Sequence, residues 1–282
     1  MVESDIPFGE EVAETSSPAS AVYRMPLIIA HRGASKHAPE NTFAAFKRAV
    51  DAGADGIELD VRLAKDGVAV VFHDASLKRI AARKGKISHF TSAELRAIDA
   101  GSWFNRFAPK LADPSYKDES VPTLADTLAF LKDFSGLIYI ELKSKEADTE
   151  QLVKAVCDVI CPSKLLPQIV IKSFKLSAIP YVKKLCPEVR TAALFAPKIK
   201  NILRKDKHLL RLAEEAGADE ISLHYTLATR KLMKKAGKRN LRVIIWTADH
   251  PRWIRRALKL GLAAIITNDP ARLLERRCEL LS

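Results

Sequence analysis

The sequence predicts an α/β fold: a TIM-type (β/α)8 barrel with a β-hairpin and a small insertion over its carboxyl mouth. Three observations predict it. Short apolar, strand-like runs recur nine times between residues 27 and 267 and are mostly followed by stretches of helical periodicity. Two of the nine lie too close in sequence to be parallel neighbours, which leaves the eight that a closed barrel uses. Histidines and acids stand where these runs end, as active groups do at a barrel's carboxyl mouth.

Taken in order, residues 1–23 hold five acids (Glu3, Asp5, Glu10, Glu11, Glu14) and no Lys or Arg. This start has little to bury, so residues 1–24 read as a flexible acidic tail before a single domain over 25–282. Strands are expected at 27–31, 56–62, 68–73, 137–142, 168–173, 189–194, 219–223, 241–246 and 264–267. Helices are expected at 40–52, 123–134, 148–160, 175–186, 206–216, 227–237, 251–260 and 270–280. Strands 56–62 and 68–73 are separated by little more than Lys65-Asp66-Gly67 and must form a hairpin. Asp66-Gly67 suits a two-residue type I′ turn, which sets Lys65 opposite Val68 and, counting outward, Asp60 opposite His73. An open doubly wound sheet would want a glycine-rich phosphate loop after the first strand, and His31-Arg32-Gly33-Ala34-Ser35 is not one. An insertion at about 75–122 breaks the rhythm. It holds a helix-like piece from Ser92 to Ile98, the aromatic patch Trp103-Phe104-Asn105-Arg106-Phe107 and a polar loop from Pro109 to Ser120, and it reads as a cap over the site.

Composition narrows the function classes. With 48% apolar residues and a mean hydropathy of −0.05 the chain has ample core, and no run approaches the ~18 uncharged apolar residues of a membrane span. The start Met1-Val2-Glu3-Ser4-Asp5 lacks the basic-then-apolar order of a secretory leader. Cys157, Cys161, Cys186 and Cys278 make no CxxC pair, which points to free thiols in a reducing, cytoplasmic setting. With the five tail acids set aside, the net charge of +12 becomes +17 for the remaining chain, which favours anionic partners.

Phosphodiester cleavage needs a charge clamp on the nonbridging oxygens, a base for the nucleophile and an acid for the leaving alkoxide. Glu58, Asp60 and Glu141 are hard oxygen ligands suited to one divalent cation, Mg²⁺ or Ca²⁺. His31 and His73 titrate near working pH and are the natural acid and base, although spacing does not say which is which. Arg32 and Lys143 stand beside these groups, either to hold the phosphate or to serve as counter-charges.

His31-Arg32-Gly33, Pro39-Glu40-Asn41-Thr42, Glu58-Leu59-Asp60-Val61, Lys65-Asp66-Gly67, Val71-Phe72-His73-Asp74, Glu141-Leu142-Lys143, Ser173-Phe174 and Trp246-Thr247 together resemble the glycerophosphodiester phosphodiesterase family in order and spacing, over roughly residues 27–275. The resemblance implies a (β/α)8 barrel that cleaves glycerophosphodiesters to glycerol 3-phosphate and an alcohol. It implies that Glu58, Asp60 and Glu141 bind a divalent cation, that His31 is the general base and His73 the general acid, and that Arg32 and Lys143 contact the phosphate. It further implies attack by the neighbouring glycerol hydroxyl through a cyclic phosphate, with Trp246 against the glycerol and Glu40 and Asn41 ordering the first loop. Two departures stand out. Arg79-Ile80-Ala81 replaces an Arg-Thr-Thr run, and Ala248-Asp249 replaces a Val-Asn. The extra acid at Asp249 bears on the alcohol side, disfavouring an anionic head group or binding a cationic one.

The basic segments Lys198-Ile199-Lys200 with Arg204-Lys205 and Lys207, then 230–239 and 252–259, raise a second reading in which the site acts on lysophospholipids and the protein makes peripheral contact with acidic membranes. A non-catalytic binder of phosphorylated ligands is the third. Nucleic acid is not an expected partner, since the basic residues are not interleaved with aromatics.

Overall fold

The computed structural model describes residues 25–197 and 206–281; the expected tail at 1–24 and the basic cluster at 198–205 lie outside them. Strands β1 (Leu27–His31), β2 (Gly56–Leu63), β3 (Ala69–Val71), β4 (Leu137–Leu142), β5 (Ile169–Ser173), β6 (Arg190–Phe195), β7 (Glu220–His224), β8 (Arg242–Trp246) and β9 (Ala264–Thr267) form one sheet. All pairings are parallel except β2 with β3, and β1 bonds to both β9 and β2, closing an eight-stranded barrel with β3 appended. Helices follow in chain order: α1 (Phe43–Asp51), then α2 (Lys78–Ala81), α3 (Ser92–Arg96) and α4 (Ser102–Phe107) between β3 and α5 (Leu124–Phe130). Around the rest of the barrel come α6 (Thr149–Ile160), α7 (Ala178–Leu185), α8 (Asp206–Glu215), α9 (Arg230–Gly237), α10 (Arg252–Leu260) and α11 (Pro270–Cys278).

Alternation along each strand builds two cores. Outward residues such as Ile57, Leu59, Ile138 and Ile140 pack on the helices, while Ile29, Tyr139, Val170, Ala192, Ile244 and Ile266 fill the barrel's interior. Below that layer the buried carboxylate of Glu220 accepts from the Tyr139 hydroxyl at 2.9 Å and lies 3.2 Å from Arg242 and 3.5 Å from Arg190, closing the barrel's floor with a polar network. The basic residues of α9 and α10 point outward, since Leu232 and Ala236 on one and Trp253, Ile254 and Ala257 on the other take the barrel side. The four cysteines form no disulfide, and among the described residues no helix is long and apolar enough to cross a membrane.

The hairpin register differs from expectation. Only Gly67 in the connection has a positive φ (+80°); the Gly67 N–H donates to the Ala64 carbonyl at 3.1 Å and the Ala64 N–H to Val68 at 2.9 Å. The loop is therefore three residues, a turn ending in a left-handed glycine, rather than the two-residue type I′ turn. That extra loop residue moves the register by one: Val61 faces Val71, Arg62 faces Val70, and the Phe72 N–H bonds to the Asp60 carbonyl at 2.9 Å. Phe72, not His73, stands opposite Asp60, and it packs among Val70, Leu77, Ile80 and Val121 under residues 75–122.

Those intervening residues are tied to the barrel. The Glu119 carboxylate accepts from the Phe43 and Ala44 N–H groups at the start of α1 (3.1 and 3.0 Å), and the Tyr116 hydroxyl donates to the His37 carbonyl at 3.1 Å.

Candidate active site

Barrel register brings the acids level with one another although they belong to different strands. His31 pairs with Glu58 across β1 and β2, Asp60 with Glu141 across β2 and β4, and Glu141 with Lys172 across β4 and β5. Each points inward, because each lies two residues beyond an inward position: His31 beyond Ile29, Glu141 beyond Tyr139, Lys172 beyond Val170. Glu58, Asp60 and Glu141 are all buried, and one ligand oxygen from each lies within 4.8 Å of the others. In each, one oxygen (Glu58 Oε1, Asp60 Oδ1, Glu141 Oε1) is faced by a lysine ammonium. Three buried, convergent carboxylates, all hard oxygen donors, fit a divalent cation.

Cations surround the trio. Lys172 Nζ lies 2.7 Å from Glu58 Oε1 and 3.5 Å from Glu141 Oε2; Lys143 Nζ touches Glu141 and lies 3.2 Å from Asp60 Oδ1; Arg32 Nε lies 3.0 Å from Asp60 Oδ2. Burial by itself would raise the Asp60 carboxyl, but Arg32, Lys143 and the two histidines hold it well below the usual carboxylate range. Glu58 is lowered for the same reason, with Lys172 the strongest opponent of burial. Burial pulls the Lys143 ammonium down, and Asp60 and Glu141 more than restore it, so it sits above the usual lysine range.

The first loop is built around Asp60. Arg32 (φ +56°) and Gly33 (φ +79°) turn the chain sharply after β1, and a Cβ on Gly33 would meet the Ala45 backbone carbon at 2.5 Å. The turn aims the Arg32 N–H at Glu58 Oε2 (3.1 Å) and its Nη1 at Glu40 Oε1 (2.9 Å). Asn41, also at positive φ (+59°), donates from Nδ2 to Asp60 Oδ2 at 2.9 Å. Non-glycine residues in this conformation are uncommon and gather at functional sites. Glu40 also accepts two bonds from Arg79 (2.6 and 3.0 Å), and against the effect of burial Arg79 and Arg32 lower its pKa.

The two histidines have different second partners. His31 Nδ1 faces Asn268 Oδ1 at 2.6 Å, and Asn268 is oriented by donating from Nδ2 to Asp249 Oδ2 at 2.9 Å. His31 Nδ1 therefore donates to Asn268, and Nε2 is the ring atom turned to the site, 3.9 Å from Glu58 Oε2. Asp249 is thus engaged with Thr267 and Asn268 instead of standing free for the alcohol. His73 Nδ1 bonds to Asp74 Oδ1 at 2.7 Å, and Asp74 accepts from Arg79 Nε at 2.7 Å. Burial lowers the His73 pKa, Asp60 and Asp74 oppose that, and Arg32 and Lys143 add to it, for a net shift downward.

Trp246 ends β8 between the rings of Phe174 (5.5 Å) and His224 (5.4 Å), and its indole N–H has no hydrogen-bond partner among the described residues. A cleft of about 840 Å³ opens beside His31 and Arg32, bounded by Lys36, Glu40, Asp249 and Asn268 from the barrel and by Arg79, Trp103, Arg106 and Phe107 from the segment between β3 and α5. All ten residues expected from the sequence lie at this end of the barrel. Lys172, Asn268 and Arg79 join them unforeseen. Lys172 had a signal, a single charge on the inward parity of an apolar strand; Asn268 had none until the barrel closed.

The sequence profile described as the Glycerophosphoryl diester phosphodiesterase family matches residues 31–272. A glycerophosphodiester phosphodiesterase of Caldanaerobacter subterraneus subsp. tengcongensis is 35% identical over 88% of this chain and 96% of its own length. A putative glycerophosphodiester phosphodiesterase of Bacillus subtilis is 31% identical over 86% and 94%. Among solved structures, an Oleispira antarctica phosphodiesterase in complex with the product sn-glycerol-3-phosphate superposes with a TM-score of 0.78 at 26% identity, covering 90% of this chain and 97% of that one. With a buried acid trio, two oriented histidines and a family match that runs almost the length of the barrel, this chain belongs to the glycerophosphoryl diester phosphodiesterase family.

Proposed function

We propose that this protein hydrolyses glycerophosphodiesters to glycerol 3-phosphate and an alcohol, with one divalent cation, Mg²⁺ or Ca²⁺, held by Glu58, Asp60 and Glu141. The observation that carries the reading is the pair of histidines at one acid trio, one held by an amide and the other by a carboxylate. The cation, when bound, supplies Lewis-acid polarisation of the phosphoryl oxygens. His31, whose Nδ1 is tied to Asn268 so that Nε2 faces the site, accepts the proton of the attacking glycerol hydroxyl at Nε2. His73, whose imidazolium form Asp74 favours, donates its proton to the leaving alkoxide as the phosphorus–oxygen bond breaks. Water then opens the cyclic phosphate with the proton transfers reversed. Arg32 and Lys143 hold the phosphate, and Trp246 lies against the glycerol. The product bound in the Oleispira relative supports glycerol 3-phosphate as the product here.

The direct test supplies purified protein with a panel of glycerophosphodiesters under Mg²⁺, Ca²⁺ and Mn²⁺ and detects glycerol 3-phosphate. Turnover of at least one substrate is expected, with loss on EDTA and recovery on readdition of metal. No glycerol 3-phosphate from any member would overturn the activity, and indifference to EDTA would remove the cation.

The acid also has a pH signature. Asp74 is one of the few groups raising the His73 pKa, so Asp74→Asn lowers it further and shrinks the imidazolium fraction at neutral pH. The alkaline limb of kcat/KM then moves to lower pH, and the rate at pH 8 falls roughly tenfold. A pH–rate profile with an unmoved alkaline limb would show that His73 is not the acid.

A further inference from the structure

We infer that Lys172 is a resident charge that limits how tightly the acid trio holds a divalent cation and keeps the trio assembled without one; the inference rests on the metal reading above. Three carboxylates (Glu58, Asp60, Glu141) are matched by three cations (Arg32, Lys143, Lys172), so the site is close to neutral before any metal arrives. A divalent ion therefore enters as excess positive charge, and affinity depends on which resident cation can withdraw. Lys143 follows the end of β4 with 15% of its side chain exposed, so its ammonium can turn toward the mouth or a phosphate. Lys172 cannot. Its side chain is 2% exposed, it rises from within β5, and its Nζ spans Glu58 at 2.7 Å and Glu141 at 3.5 Å.

A cation bound by those two carboxylates has an ammonium as a close neighbour in a poorly screened interior, where like charges repel far more strongly than in bulk water. The same ammonium offsets repulsion between Glu58 and Glu141 when no metal is present. Lys172 thus exchanges affinity for a site that is preassembled and able to release its ion. In this role it is a positioning residue, with no contact to the reacting atoms.

The test titrates Mn²⁺ into the wild-type protein and into Lys172→Gln, Lys172→Met and Lys172→Arg, counting the free ion by electron paramagnetic resonance, with melting curves in EDTA and in Mn²⁺. The two neutral variants are expected to bind Mn²⁺ about tenfold or more tightly, to melt lower in EDTA and to gain more from Mn²⁺ than the wild type. Lys172→Arg, which keeps the charge, is expected to retain wild-type affinity. A neutral variant that folds only with Mn²⁺ supports the inference. Equal or weaker binding by the neutral variants overturns it, as does tightening by the arginine variant, and so does failure of both neutral variants to fold even with the ion. Absence of Mn²⁺ binding in all four proteins alongside intact wild-type hydrolysis would overturn the metal reading itself, an outcome distinct from equal affinities.

Discussion

Replacing His31 by alanine lowers kcat about a thousandfold, the middle of the range over which a positioned general base contributes, while the protein still folds. His31 is partly exposed at the end of β1, and its side chain touches Asn268 and Glu58 rather than the packed interior. Removing it leaves the acid trio, the cation cluster and His73 in place, so KM for a glycerophosphodiester changes little. Asn268→Asp is a graded companion. A carboxylate in place of the amide favours the imidazolium, so the acidic limb of the pH–rate profile moves to higher pH. An alanine variant with wild-type kcat would take His31 out of the chemistry.

The second large effect falls on Asp60. Its carboxylate receives Asn41 Nδ2 at 2.9 Å and lies 3.0 Å from Arg32 and 3.2 Å from Lys143. Asp60→Asn keeps the shape and removes the charge. Because losing even an outer-shell partner costs about 10–100-fold in metal affinity, losing a ligand is expected to weaken Mn²⁺ binding by at least about a hundredfold. Hydrolysis falls with it. Stability falls too, because Arg32 and Lys143 keep their positive charge with one carboxylate fewer, and an uncompensated buried charge costs about 3–5 kcal/mol at the extreme; both cations are partly exposed, so the loss is smaller. Calorimetric Mn²⁺ titration and thermal melts separate the two effects. An asparagine variant that binds the ion as the parent does would remove Asp60 from the ligand set.

Much of this arrangement was legible in one dimension. The nine strands appear within a residue or two of their expected bounds, because apolar runs bounded by turn residues read clearly. The hairpin register did not, since Asp66-Gly67 fits either a two-residue turn or the end of a three-residue one; the choice rests on the φ of Asp66, whose carboxylate is held by the Ser92 N–H and hydroxyl at 2.9 and 2.8 Å. His31, Glu58, Asp60, Glu141 and Lys143 announced themselves by ending apolar runs. Asn268 did not, and Asp249 stood out only as an extra acid on the alcohol side, because their relation to His31 exists only once β9 closes on β1, more than two hundred residues away in sequence. Lys172 carried a legible parity but a misleading type, since a lysine at a strand end usually faces water.

One connection described above constrains how such a barrel can be recombined. Arg79, on α2, bonds Glu40 on one side and Asp74 on the other, while Glu40 is shared with Arg32 and Asp74 holds His73. The segment between β3 and α5 is therefore not an interchangeable module. Grafting the corresponding stretch from a relative to change the alcohol accepted would also replace the strut that orients His73. A chimera retains turnover only where the donor segment brings an arginine to that place, so specificity and rate are inherited together at this junction.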